Sequence, residues 1–113
     1  VADATLEPGE RIFHIALESE WEAAALSGDY RTSTLGRSLA EEGFIHASRR
    51  HQLDGVRRLF YAQVTEPLVM LEIEPDRLKV PLRLEAPPGA DEAFPHIYGP
   101  LPVDAVVAVR ALD

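Results

Sequence analysis

The stretch Leu68-Val69-Met70-Leu71-Glu72-Ile73-Glu74 decides the fold of this 113-residue chain. Pro67 precedes it and Pro75-Asp76 ends it, so the apolar run has the length of a strand and is too short for a helix with its own core face. Working back from it, residues 51–62 carry Leu53, Val56, Leu59 and Phe60 at helical spacing, which predicts a helix with those four side chains facing inward. Before that helix, 44–48 (FIHAS) reads as a short strand, and 35–42 as one or two helical turns stopped by Gly43. The segment 29–35 reads as loop or short extended chain. Residues 20–27 read as a helix, with a capping box at Ser19-x-x-Glu22, a buried stripe of Trp21, Ala24, Ala25 and Leu26, and Gly28 as its left-handed end. Residues 11–17 (RIFHIAL) alternate as a strand, with Ile12, His14 and Ala16 on one face and Phe13, Ile15 and Leu17 on the other.

Forward from the same stretch, 76–78 reads as a helical turn. Residues 80–85 read as a strand in which Pro81 marks either a sheet edge or the strand's first residues, because proline donates no ladder hydrogen bond. A loop at 87–91 (PPGAD), an extended segment at 94–98, a rigid turn at 99–102 and a valine-rich strand at 105–112 complete the chain. Strands and helices do not alternate as βαβ units, so the fold class is α+β: a compact single domain with small antiparallel or mixed sheets flanked by two or three helices. The domain spans 11–113. Residues 1–10 read as a flexible N-terminal arm.

Nineteen acidic and eleven basic residues give a net charge of −8, which repels nucleic acid and anionic membranes at long range. No stretch approaches the roughly 18–20 apolar residues of a membrane span. There is no cysteine, hence no disulfide, no thiolate nucleophile and no cysteine-held zinc, a usage that fits the cytoplasm. Ten of the eleven basic residues are arginine, with Arg49-Arg50 and Arg57-Arg58 adjacent. They read either as helix-surface arginines balancing the acidic residues or as an anion-recognition patch.

Candidate chemistry falls on pairs two residues apart, which share a strand face. His46 and Ser48 form one pair, His96 and Tyr98 a second, Arg83 and Glu85 a third, and His14 sits alone in mid-strand. Each has a structural counterpart: a satisfied sheet histidine at 14, a helix cap at Ser48, ring packing at Tyr98, and a solvent-facing His51 in the first turn of its helix. The glycine at 99 is small enough to let a ligand approach the backbone. Zinc held by His14, His46 and His96 has no local spacing motif to support it, so no metal is expected. Ser48 lacks the G-x-S-x-G elbow of a hydrolase. Neither a Rossmann nor a phosphate-loop motif occurs, which leaves a polar cleft for a nucleotide or other small molecule.

Several segments resemble the small bacterial DUF952 family: Ile12-Phe13-His14-Ile15, Trp21, Gly28-Asp29-Tyr30, Glu42-Gly43-Phe44-Ile45-His46-Ala47-Ser48, Gln52, Phe60-Tyr61, Leu68-Val69-Met70-Leu71 and Phe94-Pro95-His96-Ile97-Tyr98-Gly99-Pro100-Leu101-Pro102. That family is similar in fold to the ADP-ribosyltransferase-like superfamily. The resemblance therefore implies NAD bound in a cleft between two small sheets and cleavage of its nicotinamide–ribose bond. A carboxylate near the ribose stabilises the oxocarbenium-like charge of such a reaction. Glu85 is the candidate for that role, with His96 as the other candidate for the same third element. His14 and His46 would orient the ligand, Ser48 would take a ribose hydroxyl, Tyr98 would stack on a ring and Arg49 would meet phosphate. The alternative is a non-catalytic small-ligand-binding or protein-interaction domain.

Overall fold

The strand expected over 68–74 forms over 68–73 and is the middle strand of its sheet. In the computed structural model, which describes residues 5–112, β1 (Ile12–Leu17) leads directly into α1 (Glu18–Ser27), followed by β2 (Asp29–Tyr30), β3 (Thr32–Thr34) and β4 (Arg37–Ser38). Then come α2 (Leu39–Glu42), β5 (Ile45–His46), α3 (Leu53–Phe60), β6 (Leu68–Ile73) and β7 (Leu82–Glu85). The chain ends with β8 (Phe94–Ile97), β9 (Leu101–Pro102) and β10 (Val106–Leu112). This is an α+β arrangement in which every strand pair is antiparallel.

β6 is flanked by β1 and β10. Its register sets Ile12, His14 and Ala16 opposite Ile73, Leu71 and Val69, so the expected face of β1 joins the main core. The opposite face contributes Ile15, Leu17 and Leu68 to a second apolar cluster with Tyr61, under Leu53 and Val56 of α3. A sheet apolar on both faces excludes water from both, and His14 is sealed inside it.

A second sheet runs β5-β8-β7, with β7 at the edge and Pro81 immediately before its first residue, which fits both places expected for that proline. Ile45, Ile97 and Leu82 pair across it and point into the main core. His46, His96 and Arg83 pair in the adjacent row and so face the other way, with Glu85 and Phe94 beside them. The two sheets are tied where Phe13 and Ser48 exchange backbone hydrogen bonds of 2.8 and 2.7 Å.

The helix ends follow the sequence in two places and depart from it in a third. Gly28 and Gly43 close α1 and α2 in the left-handed conformation, at φ 100° and 87°. The capping box expected at Ser19-x-x-Glu22 does not form, because the chain is already helical at Glu18, whose N–H donates to the Pro67 carbonyl at 2.9 Å. The box belongs instead to Ser38 and Glu41, at the start of α2. Of the stripe expected on α1, Ala24 is buried and Trp21 is half-buried, but Ala25 is exposed and Leu26 is 92% exposed. On α3, Leu59 and Phe60 also face out. Both helices are short and touch the core over about one turn, so apolar residues beyond that contact are left on the surface.

The arm read over 1–10 lies outside the described residues up to position 4. Over 5–10 it has no regular structure, yet Leu6 packs on the core and Glu10 pairs with Arg49. Among the described residues no helix is long and apolar enough to cross a membrane.

Candidate functional site

The polar face of the β5-β8-β7 sheet gathers most of the residues singled out above. Glu85 on β7 lies across from β8, and its Oε1 accepts from His96 Nδ1 at 2.8 Å and from the Tyr98 hydroxyl at 2.5 Å. Tyr98 is the largest cause holding the Glu85 carboxyl below its usual range, followed by His96, and the same contact raises the Tyr98 hydroxyl. An ionised carboxylate only accepts, so His96 carries its proton on Nδ1 and, in the neutral ring, Nε2 is a bare acceptor. The His96 side chain is only 6% exposed, and among the described residues its Nε2 has no hydrogen-bond partner. Phe44 stacks on the His96 ring at 4.1 Å, and the His46 ring meets it edge-on at 5.3 Å. A buried acceptor left unsatisfied costs roughly 1–3 kcal/mol, so a nitrogen in that state on a cleft wall points to a ligand.

His46 has its imidazole nearer the surface. Burial lowers its pKa, and a long contact from Nε2 to Glu42 at 3.4 Å opposes that shift. Glu42 also accepts from Arg37 at 2.9 Å.

His14 is different in kind. Its Nδ1 donates to the His46 carbonyl at 2.5 Å, since a carbonyl only accepts, and its Nε2 accepts from the Tyr30 hydroxyl at 2.9 Å. Burial lowers its pKa to about 4, against a smaller raising effect of the His46 carbonyl. Both nitrogens are used within the protein. His14 borders the cleft but has no unpaired nitrogen to offer a ligand or a metal, and its bond to the His46 carbonyl ties β1 to β5. Among the described residues no group of three histidines and carboxylates is arranged around a metal position.

His14, His46, Ser48 and His96 line one cleft of about 980 Å³, with Leu59 and Phe60 of α3 on one side and the loop over 87–90 on another. Ser48 does not cap the following helical turn, where the Gln52 side chain accepts from the Arg49 N–H at 2.9 Å. Glu85 and Tyr98 are not among the residues lining the cleft; Glu85 contacts the lining residue His96, and the Arg83 guanidinium lies over the Tyr98 ring at 5.2 Å. Arg49 is not among the residues lining the cleft, and its guanidinium is paired with Glu10 by two hydrogen bonds of 2.8 and 2.9 Å rather than open to a phosphate. Gly99 serves packing rather than ligand approach, since a Cβ there would overlap the Val80 side chain.

Phe44, Glu42 and Tyr30 were not among the expected site residues. The alternation in FIHAS placed Phe44 on the face of His46 and Ser48, which was the one available signal. Tyr30 reaches His14 through a contact across 16 residues that leaves no spacing pattern, whereas Glu42 stands only four residues before His46.

A family model described as a protein of unknown function (DUF952) matches residues 15–109. The crystal structure of protein CC0527 from Caulobacter crescentus is similar, at 32% sequence identity and a TM-score of 0.78 over 91% of this chain and 86% of that one. The solution NMR structure of the same protein gives 33% identity and a TM-score of 0.69 over 91% and 84%. No curated protein matches.

Proposed function

The chain belongs to the DUF952 family, and from that premise we propose that the cleft binds a small ring-bearing ligand of the nucleoside or nucleotide class through His96. The observation that carries this reading is the buried, unpartnered His96 Nε2 on the wall of a cleft large enough for such a ligand. The ring of the ligand lies against the apolar side formed by Leu59 and Phe60, and a hydroxyl donates to Nε2. That nitrogen is screened from solvent, so a donor reaches it with a rotamer-scale movement of the wall, for which the half-exposed His46 is placed. NAD is the member of the class that the resemblance to ADP-ribosyltransferase-like proteins suggests, acting in the cytoplasm. In that chemistry His46 and Ser48 orient the sugar and the Glu85–His96 pair faces the bond that breaks. The exposed Leu59 and Phe60 at the rim favour a second reading, a protein-interaction domain.

A two-dimensional amide titration with adenosine and with NAD tests the proposal, with the nicotinamide protons followed in the same tube. Saturable shifts centred on His46, Ser48 and His96 are expected, and free nicotinamide appearing with time would make the domain an enzyme. Cleft amides that stay still at millimolar concentrations of both compounds would overturn the ligand-binding reading and leave the interaction surface.

A further inference from the structure

The charges around the cleft are arranged against a phosphate. Its lining carries two guanidiniums, Arg37 and Arg58, and three carboxylates, Glu42, Asp54 and Glu92. Arg37 is held by Glu42 at 2.9 Å. Arg58 lies one helical turn from Asp54, the spacing at which a carboxylate offsets a cation. His51 is committed to Glu92 at 2.6 Å, and counting it as charged only brings the two signs level. Burial disfavours the charged form of His46. The arginine expected to meet phosphate, Arg49, is bound by Glu10 outside the cleft. The net charge of −8 repels a dianion before it arrives.

His96 adds a demand of its own. With its Nδ1 proton committed to Glu85, Nε2 of the neutral ring accepts a hydrogen bond and does not donate one to a phosphoryl oxygen. A site built around a buried acceptor discriminates strongly against a ligand that lacks the donor, because the nitrogen is then left unpaired.

We propose that the cleft selects uncharged, hydroxyl-bearing ring compounds, so that nucleosides bind in preference to their phosphates, with a sugar hydroxyl donating to His96. This inference rests on the ligand-binding reading above and narrows it to one chemical class, which leaves out NAD and the other phosphate esters.

The test is an NMR titration of the full chain with adenosine, guanosine, cytidine and uridine, each beside its 5′-monophosphate, and with 2′,3′-dideoxyadenosine beside adenosine. At least one nucleoside should bind tenfold or more tightly than its monophosphate, and the dideoxy compound tenfold or more weakly than adenosine. Asp54→Lys, an exposed charge reversal on the cleft lining, should raise monophosphate affinity several-fold and so narrow the nucleoside-to-monophosphate ratio. Monophosphates binding as tightly as nucleosides would overturn the selection for neutral ligands while the ligand-binding reading stands. Equal binding of the dideoxy compound would overturn the sugar contact to His96. No binding by any compound would overturn both.

Discussion

Two buried strand histidines sit one strand apart and have opposite fates. His14 lies in the β1-β6-β10 sheet, closed by apolar residues on both faces, and both of its nitrogens are bonded to protein. His96 lies in the β5-β8-β7 sheet, whose outer face is a cleft wall, and only one of its nitrogens is bonded. They are as deeply buried as each other, so burial does not separate a structural histidine from a functional one. The count of satisfied nitrogens does. The two regions are also linked, because the carbonyl that His14 binds belongs to His46, whose ring faces His96.

The largest expected effect is on the His14 side. Replacing His14 by Ala removes two buried hydrogen bonds, strands the Tyr30 hydroxyl and the His46 carbonyl, and leaves a cavity. The change should cost about 3–5 kcal/mol of stability. Urea unfolding measures it. A loss below about 1 kcal/mol would show that this region tolerates an orphan as readily as the other and would break the contrast.

Acid sharpens the contrast from a second direction. The folded-state pKa of His14 is lowered from 6.5 to about 4, so between those values the unfolded chain binds a proton that the folded chain refuses. The stabilisation is fully present above pH 6.5 and is lost as pH falls toward 4, at up to about 1.4 kcal/mol per pH unit and roughly 3 kcal/mol in all. His46, also lowered by burial, adds in the same direction. Urea midpoints across this range measure the slope, and the His14 ring protons should keep the chemical shifts of a neutral imidazole down to about pH 5. A ring that titrates near 6.5 would mean that His14 is not sealed.

Much of the fold was legible because it rests on local physics. Seven residues between prolines held β6, alternation assigned the faces of β1, Pro81 marked an edge or a strand's start, and two glycines ended two helices. Leu26, Leu59 and Phe60 misled because helical periodicity says which residues share a face and not how far along the helix the core extends. The site was half legible. Residues two apart gave the His46–Ser48 and His96–Tyr98 pairs, but the partner that decides each residue's role comes from far along the chain. Glu10 captures Arg49 across 39 residues, and Tyr30 satisfies His14 across 16. No motif encodes those distances. They follow from the register of β1 against β6 and from the Phe13–Ser48 bridge.

The smallest expected effect on stability is the one that separates the two regions most sharply. His96→Phe keeps a ring against Phe44 and deletes a nitrogen that has no bond to lose. Tyr98 still donates to Glu85, and the Glu85 side chain is 38% exposed, so water can replace the lost imidazole N–H. The unfavourable terms are that one hydrogen bond and the slight excess volume of Phe. The favourable term is removal of an unsatisfied buried acceptor. These nearly cancel, so the unfolding free energy should stay within about 1 kcal/mol of wild type while nucleoside binding falls tenfold or more. A functional group held at the expense of stability gives this signature. A loss of 3 kcal/mol or more, matching His14→Ala, would make His96 a second structural histidine and leave the cleft without its hydrogen-bonding anchor.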